Sequence, residues 1–353
     1  MNEMKSSRAI SRRRFAKDVS LAIGAAGLLG NSLSVPALAA PTLKKRPLGK
    51  TGLMVSEISL GGHIDGPEAA KKNATSQEVR TSVIKRAYEL GINYFDMNNI
   101  PAEHVLTGVA LESLGLRDKI YLVESCKNLY KTREETRTKI VESVANNLQV
   151  LRTSYADVLR FTSTVTDWDA DIIRGYVEAG QELKRQGKVR HLALSSHFPE
   201  YLKRVLNEFP EIEVIYTPYN FVVRKAADEV FPSAKEKGVG VVCIKPFLKA
   251  TMFGLKGNLE QQVATAAAES GHKIADLPSQ RGESVARANL RFILANPNVS
   301  CVVPGMEIPS EVEENVSAST GPLTNADLDL MQKHVAFRLP GPEYAWLHDW
   351  RIL

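Results

Sequence analysis

The sequence predicts an eightfold parallel β/α barrel, and three observations carry that prediction. From Arg46 onward, short β-branched apolar runs alternate with segments of helical period, the mark of parallel βαβ units. Eight such runs can be counted, each followed by a helix-length interval, which favours closure into a barrel over an open sheet. The stretch that contains them, 41–353, is long enough for one such barrel and a C-terminal tail.

Residues 1–40 are set apart from that alternation. Ser11-Arg12-Arg13-Arg14-Phe15 precedes an apolar stretch from Val19 to Leu29, and Ala37-Leu38-Ala39 supplies the small residues of a cleavage site. Together they resemble a twin-arginine export signal. A membrane-spanning helix would need about 20 apolar residues, and Gly24, Gly27, Gly30 and Asn31 interrupt a shorter run. The expectation is a periplasmic or exported protein that folds before it crosses the membrane, takes up any cofactor in the cytoplasm, and has no stable membrane insertion once the leader is removed.

The expected strands are Ile58–Gly62, Ile92–Met97, Ile120–Ser125, Val158–Thr162, His191–Ser196, Val214–Tyr219, Gly240–Pro246 and Ser300–Gly305. Between them, Glu134–Leu151 carries Ile140, Val144, Leu148 and Leu151 at the spacing of one helix face. The interval from Phe247 to Val299 is the longest, and reads as an extended loop, a short helix and then a helix over Val285–Ala295. Reactive groups of such a barrel come from the C-terminal ends of the strands and the loops after them. Those ends offer His63, Asp65, Asp96, Asn98, Asn99, His104, Glu124, Ser125, Lys127 and Thr162–Thr164, then Ser195, Ser196, His197, Tyr219, Asn220, Lys245 and Glu307. No HExxH, GxSxG or Walker-type pattern is among them.

Composition narrows the partners. The formal charge of +5 is modest, part of it lies in the leader, and no basic run interleaved with aromatics follows. A small-molecule substrate is therefore expected, and no nucleic acid. Cys126, Cys243 and Cys301 lie far apart, each in or beside an apolar run, which reads as buried thiols without a metal site.

Arg46-Pro47-Leu48-Gly49-Lys50-Thr51-Gly52-Leu53 and Leu60-Gly61-Gly62 resemble the opening of an aldo/keto reductase. So do Gly91-Ile92-Asn93-Tyr94-Phe95-Asp96, Leu151-Arg152-Thr153-Ser154-Tyr155-Ala156-Asp157, Gly187-Lys188-Val189-Arg190, Val303-Pro304-Gly305-Met306 and Glu313-Glu314-Asn315, in the family's order. The resemblance implies chemistry in which a Tyr hydroxyl protonates a carbonyl as hydride leaves C4 of a reduced nicotinamide. A Lys lowers the Tyr pKa, an Asp pairs with the Lys, and a His orients the substrate.

Position by position, only the Asp is retained, as Asp96. The Tyr position holds Pro101, the Lys position Ser125 and the His position Thr162, so the tetrad reads as degenerate. His104 and Lys127 are the candidates that could take over; alternatively His104 opens a solvated helix and Lys127 is a surface loop charge. For the cofactor, the resemblance assigns Ser195, Ser196 and His197 to the carboxamide turn, Asn315 to adenine and Gly305 to close approach by phosphate. Ile244 stands where the stacking Tyr is expected. Glu307 stands where many members place Arg or Lys against the 2′-phosphate, so NAD is favoured over NADP. Lys245, Lys249 and Lys256 offer an anion site or a solvated loop face.

Two functions follow from this pattern. One is an NAD(P)(H)-dependent oxidoreductase with a modified active site, acting on a carbonyl or secondary alcohol. The alternative is a non-redox ligand- or partner-binding barrel that has lost catalysis, with the aromatic segment 339–350 over the mouth or packed on the wall. Non-redox chemistry on a sugar by Glu124, His63 and Asp96 is a third possibility.

Overall fold

The computed structural model describes residues 43–62, 75–98, 100–127, 130–163, 167–248 and 284–335. Residues 1–40, His63, Asp65, Asn99, Thr164, Lys249, Lys256 and the C-terminal aromatic segment lie outside them.

The chain opens on an antiparallel hairpin that the strand count had not included, β1 (Lys45–Pro47) and β2 (Met54–Ser56). Its turn runs through Gly49 and Gly52, both at positive φ, and a side chain at Gly49 would collide with the backbone of Gly238–Gly240. Leu48, Leu53 and Val55 of this hairpin pack into the same buried cluster as side chains of the main sheet, while the Lys50 N–H donates to the Gly238 carbonyl. The Gly-Lys-Thr-Gly motif is thus a turn that lets the hairpin seat a hydrophobic plug against the sheet.

Eight parallel strands follow. They are β3 (Leu60–Gly61), β4 (Tyr94–Asp96), β5 (Tyr121–Lys127), β6 (Ala156–Ser163), β7 (Val189–Ser196), β8 (Val214–Pro218), β9 (Gly240–Ile244) and β10 (Cys301–Val302), hydrogen-bonded in chain order. Each coincides with one of the eight predicted runs. The two edge strands also approach one another: the Ser59 and Gly61 N–H groups donate to the Val302 and Pro304 carbonyls, and isolated parallel bridges join Ile58 to Val302 and Gly61 to Gly305. The sheet is a curled, eight-stranded parallel one.

The helices return the chain between strands. They are α1 (Gln77–Glu89), α2 (Pro101–Leu114), α3 (Arg133–Val150), α4 (Ala170–Arg185), α5 (Pro199–Glu208), α6 (Lys225–Glu229), α7 (Phe231–Lys237), α8 (Val285–Ala295), α9 (Pro309–Ser317) and α10 (Asn325–Val335). Local sequence fixes their ends: Ser76, Thr132, Asp169 and Ser284 cap N-termini with their side chains, and Pro101, Pro199 and Pro309 each open a helix where no backbone N–H is needed. α8 has the predicted bounds, and α3 starts and ends one residue before its prediction. β9 stops at Ile244, short of the predicted Pro246, because Lys245 turns to φ 52°.

Strand alternation divides the core in two. Phe95, Leu122, Leu159, Phe161, Leu194 and Cys243 face the helices. Tyr94, Val123, Val158, Ala193, Tyr216, Val242 and Cys301 face the other way and form a second cluster on the concave side. The three cysteines are buried and unpaired, and burial pushes their thiols up, away from the reactive thiolate. Among the described residues no helix is long and apolar enough to cross a membrane.

Candidate functional site

The concave face carries a buried ion pair. Asp96 ends β4, Arg160 lies two residues beyond Val158 on the same side of β6, and Arg160 Nη1 donates to both carboxylate oxygens of Asp96, at 2.7 and 2.5 Å. Arg160 Nη2 donates to the Met97 carbonyl and to Asn98 Oδ1, both at 3.2 Å, which pins the loop leaving β4. Both partners are almost wholly buried, Asp96 2% and Arg160 5% exposed. Beside them, the guanidinium carbon sits 4.9 Å from the centre of the Tyr216 ring, and the Tyr216 and Tyr94 hydroxyls meet at 2.5 Å.

Electrostatics ties this group together. Burial pushes the Asp96 carboxyl up, and the charge and hydrogen bonds of Arg160 pull it back. Burial also works against the guanidinium, which Asp96 keeps charged. Removing either partner would strand the other charge in a medium that cannot solvate it. The two phenols are pushed well above their ordinary range by burial, so neither ionises under ordinary conditions.

In the β5/β6 ladder Arg160 pairs with Ser125, the residue that the sequence resemblance aligns with the family's Lys. Neighbours in a parallel register point to the same side, so the small Ser125 leaves the guanidinium room to pass and reach Asp96. The cation beside Asp96 therefore comes from the next strand. Sequence reasoning missed it; the available signal was an arginine inside the apolar run Val158-Leu159-Arg160-Phe161, in step with Val158 and Thr162.

Thr162, at the family's His position, pairs in register with Lys127 on one side and Ser195 on the other. Its Oγ1 is buried without a hydrogen-bond partner. β5 extends to Lys127, two residues past its predicted end, which makes Lys127 a strand residue and not a loop charge.

His104 is neither solvated nor on the concave face. It lies in the first turn of α2, 1% exposed, with Nδ1 2.8 Å from the Ile100 carbonyl and Nε2 2.9 Å from Glu124 Oε2. Glu124 alternates with Val123 and Ser125 and so faces the helices, where its other oxygen accepts from Asn147 Nδ2 of α3 at 2.6 Å. Burial opposes charge on His104, but the hydrogen bond and charge of Glu124 outweigh it, and the ring titrates above its ordinary value. Glu124 and Asp96 thus lie on opposite faces of the sheet and cannot act together on one substrate, which counts against non-redox chemistry on a sugar by that set. Pro101, at the Tyr position, is the first residue of α2.

The candidate cofactor residues sit at the strand ends. Ser195 is buried on the concave side of β7, and Ser196, also buried, accepts the Phe198 N–H at the turn into α5. His197 and Lys245 are half-buried in the turns after β7 and β9. Gly305 is exposed just past β10, Glu307 is half-buried with its N–H donating to Glu311 Oε2 at 2.7 Å, and Asn315 is buried in α9. Hydroxyls, an amide and an open glycine backbone are the donors and acceptors that a dinucleotide's carboxamide, adenine and phosphates would use, so this set fits the group.

Comparison with known proteins agrees with that geometry. The family model described as "Aldo/keto reductase family" matches residues 57–336. L-galactose dehydrogenase of Arabidopsis thaliana is 27% identical over 290 residues, covering 79% of this chain and 88% of that protein. NADH-specific methylglyoxal reductase of Escherichia coli is 24% identical over 326 residues, 82% of this chain and 98% of that one. Among solved structures, an aldo-keto reductase of Bacillus halodurans in its holo form superposes with a TM-score of 0.64 at 27% identity, over 85% of this chain and 98% of that one. The chain belongs to the aldo/keto reductase family and is an oxidoreductase of that lineage.

Proposed function

We propose that this protein is an exported, NAD(P)(H)-dependent oxidoreductase that acts on a carbonyl or secondary alcohol at the mouth of a closed barrel, with a rebuilt acid–base set. The observation that carries the reading is the Asp96–Arg160 pair on the concave face, which keeps a carboxylate and a cation where the family needs them although the lysine is gone. Closure of the barrel is supported by the bonds from Ser59 and Gly61 to the β10 segment. When bound, the nicotinamide would supply hydride from C4; Ser195, Ser196 and His197 would hold its carboxamide, Gly305 and Lys245 its phosphates, and Asn315 its adenine. With Pro101 and Thr162 in the places of Tyr and His, those two positions bring no phenol and no imidazole, and reduction of simple aldehydes is expected to be slow. The alternative of a purely ligand-binding barrel has no support in the comparisons.

Glu307 favours NAD over NADP, because a carboxylate repels a 2′-phosphate. Calorimetric titration should give tighter binding of NADH than of NADPH, with Glu307→Arg reversing the order; the opposite preference in the wild type refutes the charge argument, and binding of neither refutes the oxidoreductase reading. Export rests on Arg12 and Arg13. Replacing both with Lys should leave precursor in the cytoplasm, and mature protein outside at the normal rate would sink the periplasmic assignment.

A further inference from the structure

Two of the three non-glycine residues with positive φ among the described residues fall in one four-residue turn directly after β9, Lys245 at 52° and Leu248 at 50°. Left-handed backbone is costly for an L-residue and persists where the surroundings dictate it. Here two buried amides do so. Asn289 of α8 is 0% exposed; its Oδ1 accepts the Phe221 N–H of the loop after β8 at 3.0 Å, and its Nδ2 donates to the Pro246 carbonyl inside the turn at 2.7 Å. Asn220, equally buried, accepts the Val222 and Val223 N–H groups at 2.9 Å each and donates to the Lys245 carbonyl at 3.1 Å. The Leu248 N–H closes the turn on the Lys245 carbonyl at 3.2 Å, and the Leu248 side chain is buried in one cluster with Phe221, Val222, Val285 and Ala288. Both loops are thus bound to α8 as one unit, at the end of the strands where β/α barrels bind their ligands.

We propose that Asn289 is a positioning residue for cofactor binding: through Phe221 and Pro246 it locks the loops after β8 and β9 together and holds the Lys245–Leu248 turn in the backbone that receives a dinucleotide's phosphates. The proposal rests on the oxidoreductase reading, which puts Lys245 at those phosphates, and adds a residue that acts on the ligand only through backbone. An amide is the side chain required, because one link takes an N–H and the other gives one; a carboxylate cannot donate and an alkyl chain does neither. With the turn already in its binding shape, a dinucleotide binds without first ordering it. Released from Asn289, the turn relaxes toward ordinary backbone, and the apparent Kd rises as the binding-competent fraction falls.

The test is calorimetric titration of NADH, and of ADP-ribose, which keeps the adenine and pyrophosphate without the nicotinamide, with the melting temperature measured on the same samples. Asn289→Leu keeps the branched shape and breaks both links. It should weaken NADH and ADP-ribose alike by about tenfold, as for a turn in its binding shape about one-tenth of the time. Should that variant fail to fold, Asn289→Ala, with the best helix former at that position of α8, carries the same expectation. Tyr176→Phe is the control: it removes a buried hydroxyl bonded to the Leu159 and Ala193 backbone, and should lower the melting temperature with NADH affinity unchanged. A lowered melting temperature in Asn289→Leu with unchanged affinity means that the side chain only secures α8, and overturns the proposal. So does an equal loss of affinity in Tyr176→Phe, or a loss for NADH without one for ADP-ribose. Wild-type protein that binds neither NADH nor NADPH brings down the oxidoreductase reading and the positioning role with it, whereas wild type and Asn289→Leu that bind NADH equally bring down the positioning role alone.

Discussion

The two faces of β5 hold two buried acid–base pairs built from similar parts and set to different work. On the concave side, Arg160 reaches over Ser125 to Asp96; on the helix side, His104 reaches up to Glu124, with Asn147 behind it. Residue chemistry alone would rank the His–Glu pair as the more catalytic of the two. Geometry reverses the ranking, because one step along a strand moves a side chain through the sheet. The concave-side pair can face a ligand, and the pair behind it can only join α2 and α3 to the sheet. They also differ in titration: the guanidinium is charged at every accessible pH, whereas the imidazole is not.

The largest effect should come from breaking the concave-side pair. Arg160→Met leaves the Asp96 carboxyl buried beside an apolar chain, and about 3–5 kcal/mol of unfolding free energy should be lost. Asp96→Asn in the same protein should restore much of it, because the amide needs no counter-charge. Urea denaturation of both singles and the double tests this; additive losses would mean that the two groups are not the coupled pair described above.

Behind the sheet the loss should be smaller and pH-dependent. His104→Gln keeps a donor near Glu124 but no charge, and should cost about 1–3 kcal/mol. Because the folded imidazole titrates above its ordinary value, its stabilisation is complete below about pH 6.5 and fades as pH rises through the folded value. The variant should lose most stability relative to wild type in acid and least in alkali, with cofactor binding unchanged. A collapse of turnover in His104→Ala, with folding intact, would instead return this ring to the catalytic set.

How much of this was legible in the sequence depends on range. The eight strands and α8 were readable because apolar period and caps are local signals. The β1/β2 hairpin was hidden inside a motif that resembled a family opening, so its turn glycines were counted as resemblance and not as geometry. Pro101, Ser125 and Thr162 were readable as departures from the resemblance, since each is a one-position comparison. Arg160 was not, because its meaning lies in β5/β6 register and in reach across a strand, neither of which a linear pattern displays. His104 was misjudged as solvated for the same reason: nothing near it in sequence announces Glu124, twenty positions on and one strand away.

Glu103, the neighbour of His104 on α2, sharpens the contrast from another side. It is wholly buried, one oxygen accepts the Asn98 N–H at 3.4 Å and the other has no partner. Burial pushes this carboxyl up to about 8, although the Arg80 charge and the Asn98 bond pull it down. Folding therefore binds a proton between the ordinary carboxyl pKa near 4.3 and about 8, and stability should fall by about 1.4 kcal/mol per pH unit across that window. Glu103→Gln should flatten the slope in urea melts taken at several pH values. An unchanged slope would place the titration elsewhere.

The smallest effect should come from the phenols beside the ion pair, and it separates support from catalysis. Tyr216→Phe removes the hydroxyl that meets Tyr94 and hydrogen-bonds to the Asp96 carboxyl but leaves the ring beside the Arg160 guanidinium, so the cation–π contact survives while those hydrogen bonds are lost. About 1 kcal/mol of stability should go. Tyr94 and Tyr216 are fully buried, with their pKa values driven up by burial and not lowered toward neutrality. A phenol so placed is a poor proton donor to a substrate at the strand ends, and turnover of Tyr216→Phe should stay within about twofold of wild type. A general acid typically contributes 10²–10⁴-fold, so a loss of that size, with the fold and cofactor affinity preserved, would make Tyr216 the acid.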